Sequence, residues 1–271
     1  MRAGGAFASS DSIGDILRRW RAQRRLSQMD LALDAEVSSR HLSFVESGRS
    51  AASRELLNRL AEHLRMPLRA RNRLLLAGGY APEYGEAPLS APELDQARAT
   101  VLSVLSAQEP FPALAVDRHW NILHANLGLT RLLAGVDAAL IAPPANALRI
   151  GLHPQGLAPQ IENLGEWRAH LLERLRRQAD DTLDPEIEAL LDELKAYPSP
   201  PHGPAIANFA AGAVAVPLVL RASAERPRLR FLSTTTLFGT ATQVTLAELA
   251  VECFYPADPA TRDYLLRQAP S

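Results

Sequence analysis

The chain is poor in the residues that would give it a covalent or catalytic identity. It holds one cysteine, Cys253, in 271 residues, which excludes both an intramolecular disulfide and a cysteine-built zinc site. Cys253 lies in an apolar run with Leu249, Val251 and Phe254 and reads as a small buried hydrophobe. No apolar run reaches the roughly 18 residues needed to span a bilayer. The opening stretch MRAGGAFASSDS has no apolar core of the kind a secretory signal carries. A soluble, cytoplasmic protein without membrane association is therefore expected. The seven histidines are scattered singly, and HExxH, GxSxG, GxGxxG and a phosphate-binding Gly-Lys loop are all missing. His119 and His124 flank one turn, where a turn histidine and an edge histidine account for the pattern better than a metal pair does. Asp180, Asp181, Asp184, Glu186 and Glu188 precede an apolar helical face, the place where acidic groups favour a helix N-terminus. No catalytic residue, metal ligand or cofactor is expected, and the chain does not read as an enzyme.

What is present is unevenly spread. Residues 1–75 carry 14 arginines against 8 acidic residues and the remainder 15 basic against 22 acidic, so that the net charge is only −1. A basic head on an acidic body suits a phosphate-binding module joined to one that avoids nucleic acid; a chance asymmetry of solvated faces is the alternative. The length allows about two domains, each with its own core.

The basic head is organised around LSQMDLALDAEVSSRHLSFVESGR, residues 26–49. Ser27 and Asp30 have the spacing of a capping box before a short helix, Gln28 to Asp34, with Leu31 and Ala32 inward. Ala35-Glu36-Val37 reads as a tight turn. Ser38 then caps a second helix whose Leu42 and Val45 share one face and leave Ser39, Arg40 and Ser43 on the other. Two short helices and a three-residue turn make a helix-turn-helix, and a short polar outward face suits base edges in a major groove. Upstream, Ser12 and Asp15 form another capping pair before Ile13, Ile16, Leu17 and Trp20, with Arg18, Arg19, Arg21, Arg24 and Arg25 along the same helix and its exit. Downstream, Ser53 caps a helix carrying Leu56, Leu57, Leu60, Ala61 and Leu64, ended by Pro67. A fifth helix, Leu68 to Ala77, stops at Gly78-Gly79.

Five helices with L-S-Q-x-x-L-A at Leu26 to Ala32, V-S at Val37-Ser38 and V-E-S-G-R at Val45 to Arg49 resemble the Xre family, the lambda-repressor-like DNA-binding fold. Glu36 departs from the glycine usual in that turn, and a side chain tolerates positive φ poorly. The resemblance implies a double-stranded DNA partner. Ser39 and Arg40 are expected to read bases and Gln28 and Arg49 to hold phosphates, with Arg24, Ser38 and Ser43 completing the interface. One such module covers a short half-site, so a homodimer on an inverted repeat is expected, with half-site centres roughly 34 Å apart or a multiple of that.

YAPEYGEAPLSAP, Tyr80 to Pro92, breaks any helical pattern and marks the boundary. The expected division is 1–80 for the helix-turn-helix domain, 81–107 for a proline-rich boundary and linker helix, and 108–271 for a second domain. In the linker helix, Leu94, Ala97, Val101, Val104 and Leu105 form a stripe that either packs between protomers or covers the domain's own sheet. Strands are expected at 113–116, 120–125, 213–221, 229–236 and roughly 242–252, with helices at 127–134, 164–180 and 185–196. That pattern is an α+β arrangement like a PAS domain, an antiparallel sheet interrupted by helices. The blocks PALAVDRHWNILHAN (112–126), FLSTTTLFGT (231–240) and ELAVECFYPAD (248–258) resemble the MmyB-like ligand-binding domain, commonly fused behind an Xre-type head. The resemblance implies a transcriptional regulator responsive to a small apolar, fatty-acid-like ligand. Trp120, Asn126, Trp167, Phe209 and Phe231 are the candidate ligand residues, each also readable as core or, for Asn126, as a helix cap. The rival expectation is a second domain that only dimerises or binds another protein.

Overall fold

The structure, a computed structural model, describes residues 11–198, 216–224 and 226–268. The chain divides into two compact units, one ending at Glu86 and the other starting at Ala87, within the stretch Tyr80 to Pro92.

The first unit contains α1 (Ile13–Gln23), α2 (Gln28–Asp34), α3 (Ser39–Glu46), α4 (Arg54–His63) and α5 (Leu68–Ala77). Ser12, Ser27, Ser38 and Ser53 each accept a backbone N–H at a helix start, and Asp15 and Asp30 close the two expected capping boxes. Leu17, Leu31, Leu42, Leu57, Leu60, Leu64 and Leu74 are fully buried. Gly14 is required by packing, because a Cβ there would stand 1.9 Å from the Glu46 carbonyl oxygen, where α1 and α3 touch. The turn after α2 is a Schellman motif. The Val37 N–H bonds the Ala32 carbonyl at 2.9 Å and the Glu36 N–H that of Leu33 at 3.1 Å. Glu36 takes the glycine position at φ 53°, as Arg25 (55°) and Arg65 (50°) do after α1 and α4. Each such residue costs roughly 1 kcal/mol or more, which the buried leucines on either side must outweigh.

The second unit begins with a single turn at Pro92–Leu94 and α6 (Asp95–Ala107), followed by the hairpin of β1 (Ala113–Val116) and β2 (Ile122–Ala125). Then come α7 (Leu127–Leu132), α8 (Ala138–Ile141), α9 (Ala147–Leu152), α10 (Leu164–Thr182) and α11 (Pro185–Ala196). The chain closes with β3 (Leu218–Leu220), β4 (Leu229–Leu237), α12 (Val244–Ala247), β5 (Ala250–Pro256) and α13 (Pro259–Arg267). The strands form one antiparallel sheet in the order β2-β1-β5-β4-β3. Fold class is α+β, a helical head followed by a PAS-like domain.

Several elements differ from expectation. The second strand starts at Ile122 rather than Trp120, whose φ of 68° places it in the turn. The run from Thr242 is a helical turn at Val244–Ala247, and β5 lies later, at Ala250–Pro256. β3 covers only Leu218–Leu220 of the expected 213–221, whose first three residues lie outside those described. The short helices α8 and α9 are held by caps, Asp137 on the Ala139 N–H and Asn146 on those of Leu148 and Arg149. Segments of four and six residues are too brief to show periodicity in sequence.

The sheet is covered on both faces. Leu114 and Val116 join the core made with α7, α9, α10 and α11, while Ala113 and Ala115 join Val251, Cys253, Val101 and Leu105 on the other side. So α6 covers its own sheet, and the small alanines of β1 let it approach. Of its expected stripe, Val104 stays 38% exposed. Cys253 is a buried hydrophobe, and burial, with the Glu252 charge beside it, pushes its thiol pKa up.

Candidate functional site

In the first unit the structure sorts the arginines by what they already hold. Glu46 is buried, and Arg21 grips its carboxylate through Nε and Nη2 at 3.1 and 3.2 Å while Arg18 donates to its backbone oxygen. Gln28 also donates to Glu46, at 3.0 Å, so one of its two amide N–H groups is engaged inside the protein and one is left for a phosphate. Arg24, expected at the DNA, stands 5.3 Å over the Trp20 ring and donates to the Leu64 carbonyl at 3.0 Å, which ties α1 to the end of α4. These contacts engage Arg24 within the first unit. Arg18 and Arg19 pair with Asp15 and Asp11.

Arg40 and Arg49 are exposed and have no ion pair among the described residues. Arg40 leans on Phe44, its guanidinium 5.4 Å from the ring centroid. Ser39 is exposed, Ser43 half-buried beside it one turn on, and Ser38 gives its hydroxyl oxygen to the His41 N–H at 3.1 Å. The outward face of α3 is thus Ser39, Arg40 and Ser43, flanked by Arg49 after Gly48 (φ 72°). Arg25, at φ 55° after α1, is also exposed.

The second unit encloses a cavity between the inner face of the sheet and α7, α9 and α10. About 80 Å³ is open to the centres of water-sized molecules, several times the ~10–15 Å³ one water needs. Most of the lining is apolar: Leu114, Leu129, Leu148, Ile161, Trp167 and Leu171 among others. The polar lining comes from two elements, His170 and Arg174 of α10 and Ser233 and Glu252 of the sheet. Arg174 Nη2 donates to Glu252 Oε1 at 2.6 Å and to Thr235 Oγ1 at 2.8 Å, and Thr235 donates to the same carboxylate oxygen at 2.8 Å. The guanidinium lies 4.5 Å above the Trp120 ring. Burial holds the His170 imidazole below its ordinary range, and the guanidiniums of Arg174 and Arg177 add to that.

Trp120 and Trp167, two of the five candidates, line this cavity. Trp120 is fixed on several sides. Its indole N–H donates to Gln178 at 2.8 Å, its carbonyl accepts from Ala147 at 2.9 Å, and its positive φ is a conformation that a bulky residue keeps only when overdetermined. Phe231 is fully buried behind the lining, edge-on to Phe254, which does reach the cavity. Asn126 is not part of the lining. Its oxygen accepts the N–H groups of Ala113 and Leu129, both at 2.9 Å, and its nitrogen donates to Phe111 at 2.8 Å and Leu105 at 3.3 Å, so its hydrogen bonds are filled by the fold. Phe209 lies outside the described residues.

The polar lining had escaped the sequence reading, yet it left a trace. Glu252 is a single charge in AVECF, and the inward positions of β4 change from Leu229 and Phe231 to Ser233 and Thr235. His119 does not meet His124. Its Nε2 stands 3.0 Å from Asp184 and its Nδ1 3.3 Å from Glu186, with Arg118 3.6 Å from Asp184. A guanidinium at that distance disfavours a cation there. Among the described residues no helix is long and apolar enough to cross a membrane.

Comparison with known proteins agrees with this division. The family described as "MmyB-like transcription regulator ligand binding domain" matches residues 97–267, well over half of the chain, and a helix-turn-helix domain family matches 12–74. No curated protein matches. A crystal structure of the clp gene regulator ClgR from Corynebacterium glutamicum is 25% identical, over 37% of this chain and 94% of that one, with a TM-score of 0.23. An RNA-binding Light-Oxygen-Voltage receptor is 11% identical, over 94% of this chain and 62% of that one, with a TM-score of 0.29. At such TM-scores neither likeness bears on the argument.

Proposed function

We propose, from the premise that the chain belongs to the MmyB-like transcription regulator ligand binding domain family, that it senses a small amphiphile and answers by changing its hold on an operator. With a helix-turn-helix in front of that domain, the protein is a DNA-binding transcription regulator. The observation that carries the finer reading is the cavity, apolar along most of its wall and polar at one end, a lining that suits a fatty-acid-like molecule. On the DNA side, Arg40 and Ser39 read bases and Arg49 holds phosphate. The acting species is a homodimer on an inverted repeat, since one eight-residue helix meets too few base pairs to discriminate against a genome.

Coupling requires that the ligand favour one arrangement of the two DNA-reading heads, and the covalent path for that runs through residues 81–107. Such coupling typically amounts to about 1–3 kcal/mol, roughly 5- to 150-fold in affinity. The test is an operator titration with and without saturating decanoic acid. Wild type should shift its midpoint by at least about fivefold. Gly151→Leu should not shift, because Gly151 lines the cavity and a Cβ there meets open space. Identical wild-type curves would favour the rival reading, a second domain that only dimerises.

A further inference from the structure

The polar end of the cavity has more hydrogen-bonding capacity than the fold uses. Arg174 commits Nη2 to Glu252 and Thr235, and Glu252 takes both bonds on Oε1. Among the described residues, Arg174 Nε and Nη1, Glu252 Oε2, the Ser233 hydroxyl and the His170 ring make no other hydrogen bond. These groups sit together at one place in an otherwise apolar lining. Glu252 is 5% exposed, and its hydrogen bonds among the described residues all fall on Oε1, which leaves Oε2 for water or a ligand.

We propose that Arg174, Glu252, His170 and Ser233 form the head-group subsite for a carboxylate-ended amphiphile, and that the carboxylate binds together with one proton taken up by His170. The inference rests on the ligand reading above and adds to it the residues and the charge balance. The reason is the count of charges. Without ligand, the Arg174 and Glu252 charges cancel. A second carboxylate at Arg174 places two negative groups around one guanidinium, which is unfavourable until another positive charge appears. His170, one helical turn before Arg174, is the nearest group that titrates around neutrality.

Among the described residues the surroundings leave no other candidate near that pH. On α10 the charged neighbours are Arg174 and Arg177. On β5 the charged neighbour is Glu252 itself, and Cys253 faces the opposite side of the sheet. Opposite Glu252, β4 offers only Thr235, with Ser233 two residues before it, and β1 offers Leu114. Burial and the two guanidiniums favour the neutral form of His170 in the free protein, against the Glu252 charge. A carboxylate arriving at Arg174 reverses the local field and favours the imidazolium. The complex therefore holds the proton more tightly than the free protein, and affinity rises as pH falls.

The experiment is calorimetric titration of the full chain with decanoic acid and with 1-decanol between about pH 8 and pH 6, where a free carboxylic acid stays ionised. Each titration is run in two buffers of different ionisation enthalpy, so that proton uptake is read directly. The acid should bind more tightly toward low pH, by up to about tenfold per pH unit for one proton, with net uptake. The alcohol should show neither effect. His170→Gln should flatten the acid's pH profile. Glu252→Gln, which keeps an oxygen for Arg174 and Thr235, should tighten acid binding at the alkaline end severalfold. Should either variant fail to fold, the wild-type contrast between acid and alcohol still decides. Equal, pH-independent binding of acid and alcohol would overturn the head-group subsite and leave the ligand reading standing. A pH profile unchanged in folded His170→Gln would overturn the proton's assignment. Failure of both molecules to bind folded wild type would overturn the ligand reading and this inference with it.

Discussion

The two units use charge in opposite ways. In the first, the buried charge is structural: Glu46, gripped by Arg21, Arg18 and Gln28, joins α1, α2 and α3, while Arg40 and Arg49 stand outside. In the second, the ion pair of Arg174 and Glu252 lies at the wall of a cavity. The first unit leaves Arg40 and Arg49 exposed and uses its buried ion pair to join its helices. The second encloses its chemistry and leaves its interior incompletely filled. A DNA reader must match a rigid groove, which rewards a well-packed helix pair; a ligand receiver must leave room.

The comparison breaks most visibly at Glu46. Glu46→Ala leaves Arg21, with a side chain only 20% exposed, facing no carboxylate, and loss of one partner of a buried pair costs about 3–5 kcal/mol. Denaturant unfolding of the variant should show that loss, with operator affinity falling because the reader itself loosens. Unfolding at the wild-type midpoint would mean that the first unit's interior charge is dispensable.

Arg40→Ala sharpens the contrast, since it should leave unfolding unchanged and cost about 1–3 kcal/mol on the operator with relaxed preference at one base position. Arg49→Ala should instead weaken binding to all sequences alike and lower the salt slope by about one. Measured on operator and scrambled duplex over a salt series, the two variants separate base reading from phosphate holding. If Arg40→Ala kept both affinity and preference, α3 would not be the reading helix.

The smallest effect belongs to the second unit's margin. Burial disfavours the ionised form of Asp184, yet hydrogen bonds from His119 and the Glu186 N–H, with the nearby charge of Arg118, bring its pKa to about 2. A carboxylate depressed in the folded state adds stability that is present above its unfolded pKa and is lost as pH falls through the folded one. The window is therefore about pH 4 down to 2. The Asp184 side chain is only 12% exposed, but Arg118 beside it is 23% exposed, so its share is on the order of 1 kcal/mol after screening. Asp184→Asn should flatten the acid limb of the stability curve in that window alone, as read by chemical denaturation at successive pH values. An acid limb parallel to wild type would assign the loss to other carboxylates.

The first unit was legible residue by residue because its signals are local. Ser12 with Asp15 and Ser27 with Asp30 lie three residues apart, and a helix places residues four apart on one face. Even Glu36 announced its positive φ by standing where glycine is usual. What escaped there was long-range: that Arg24 caps α4, 40 residues on, and that Gln28 answers Glu46. Asn126 was ambiguous in sequence because one amide serves equally as a cap or as a ligand anchor, and only its four filled hydrogen bonds decide.

Sequence alone determined the order of the two modules, the capped helices of the first and the antiparallel α+β class of the second. Those follow from periodicity, caps and motif blocks, each carried by a few neighbouring residues. Tertiary structure alone decided which arginines remain outside, that α6 covers its own sheet, and that the cavity ends in His170, Arg174, Ser233 and Glu252. Arg174 and Glu252 are 78 residues apart, and Trp120 and Gln178 are 58 apart. Pairing at such separations depends on sheet register and helix placement together, which no local pattern encodes.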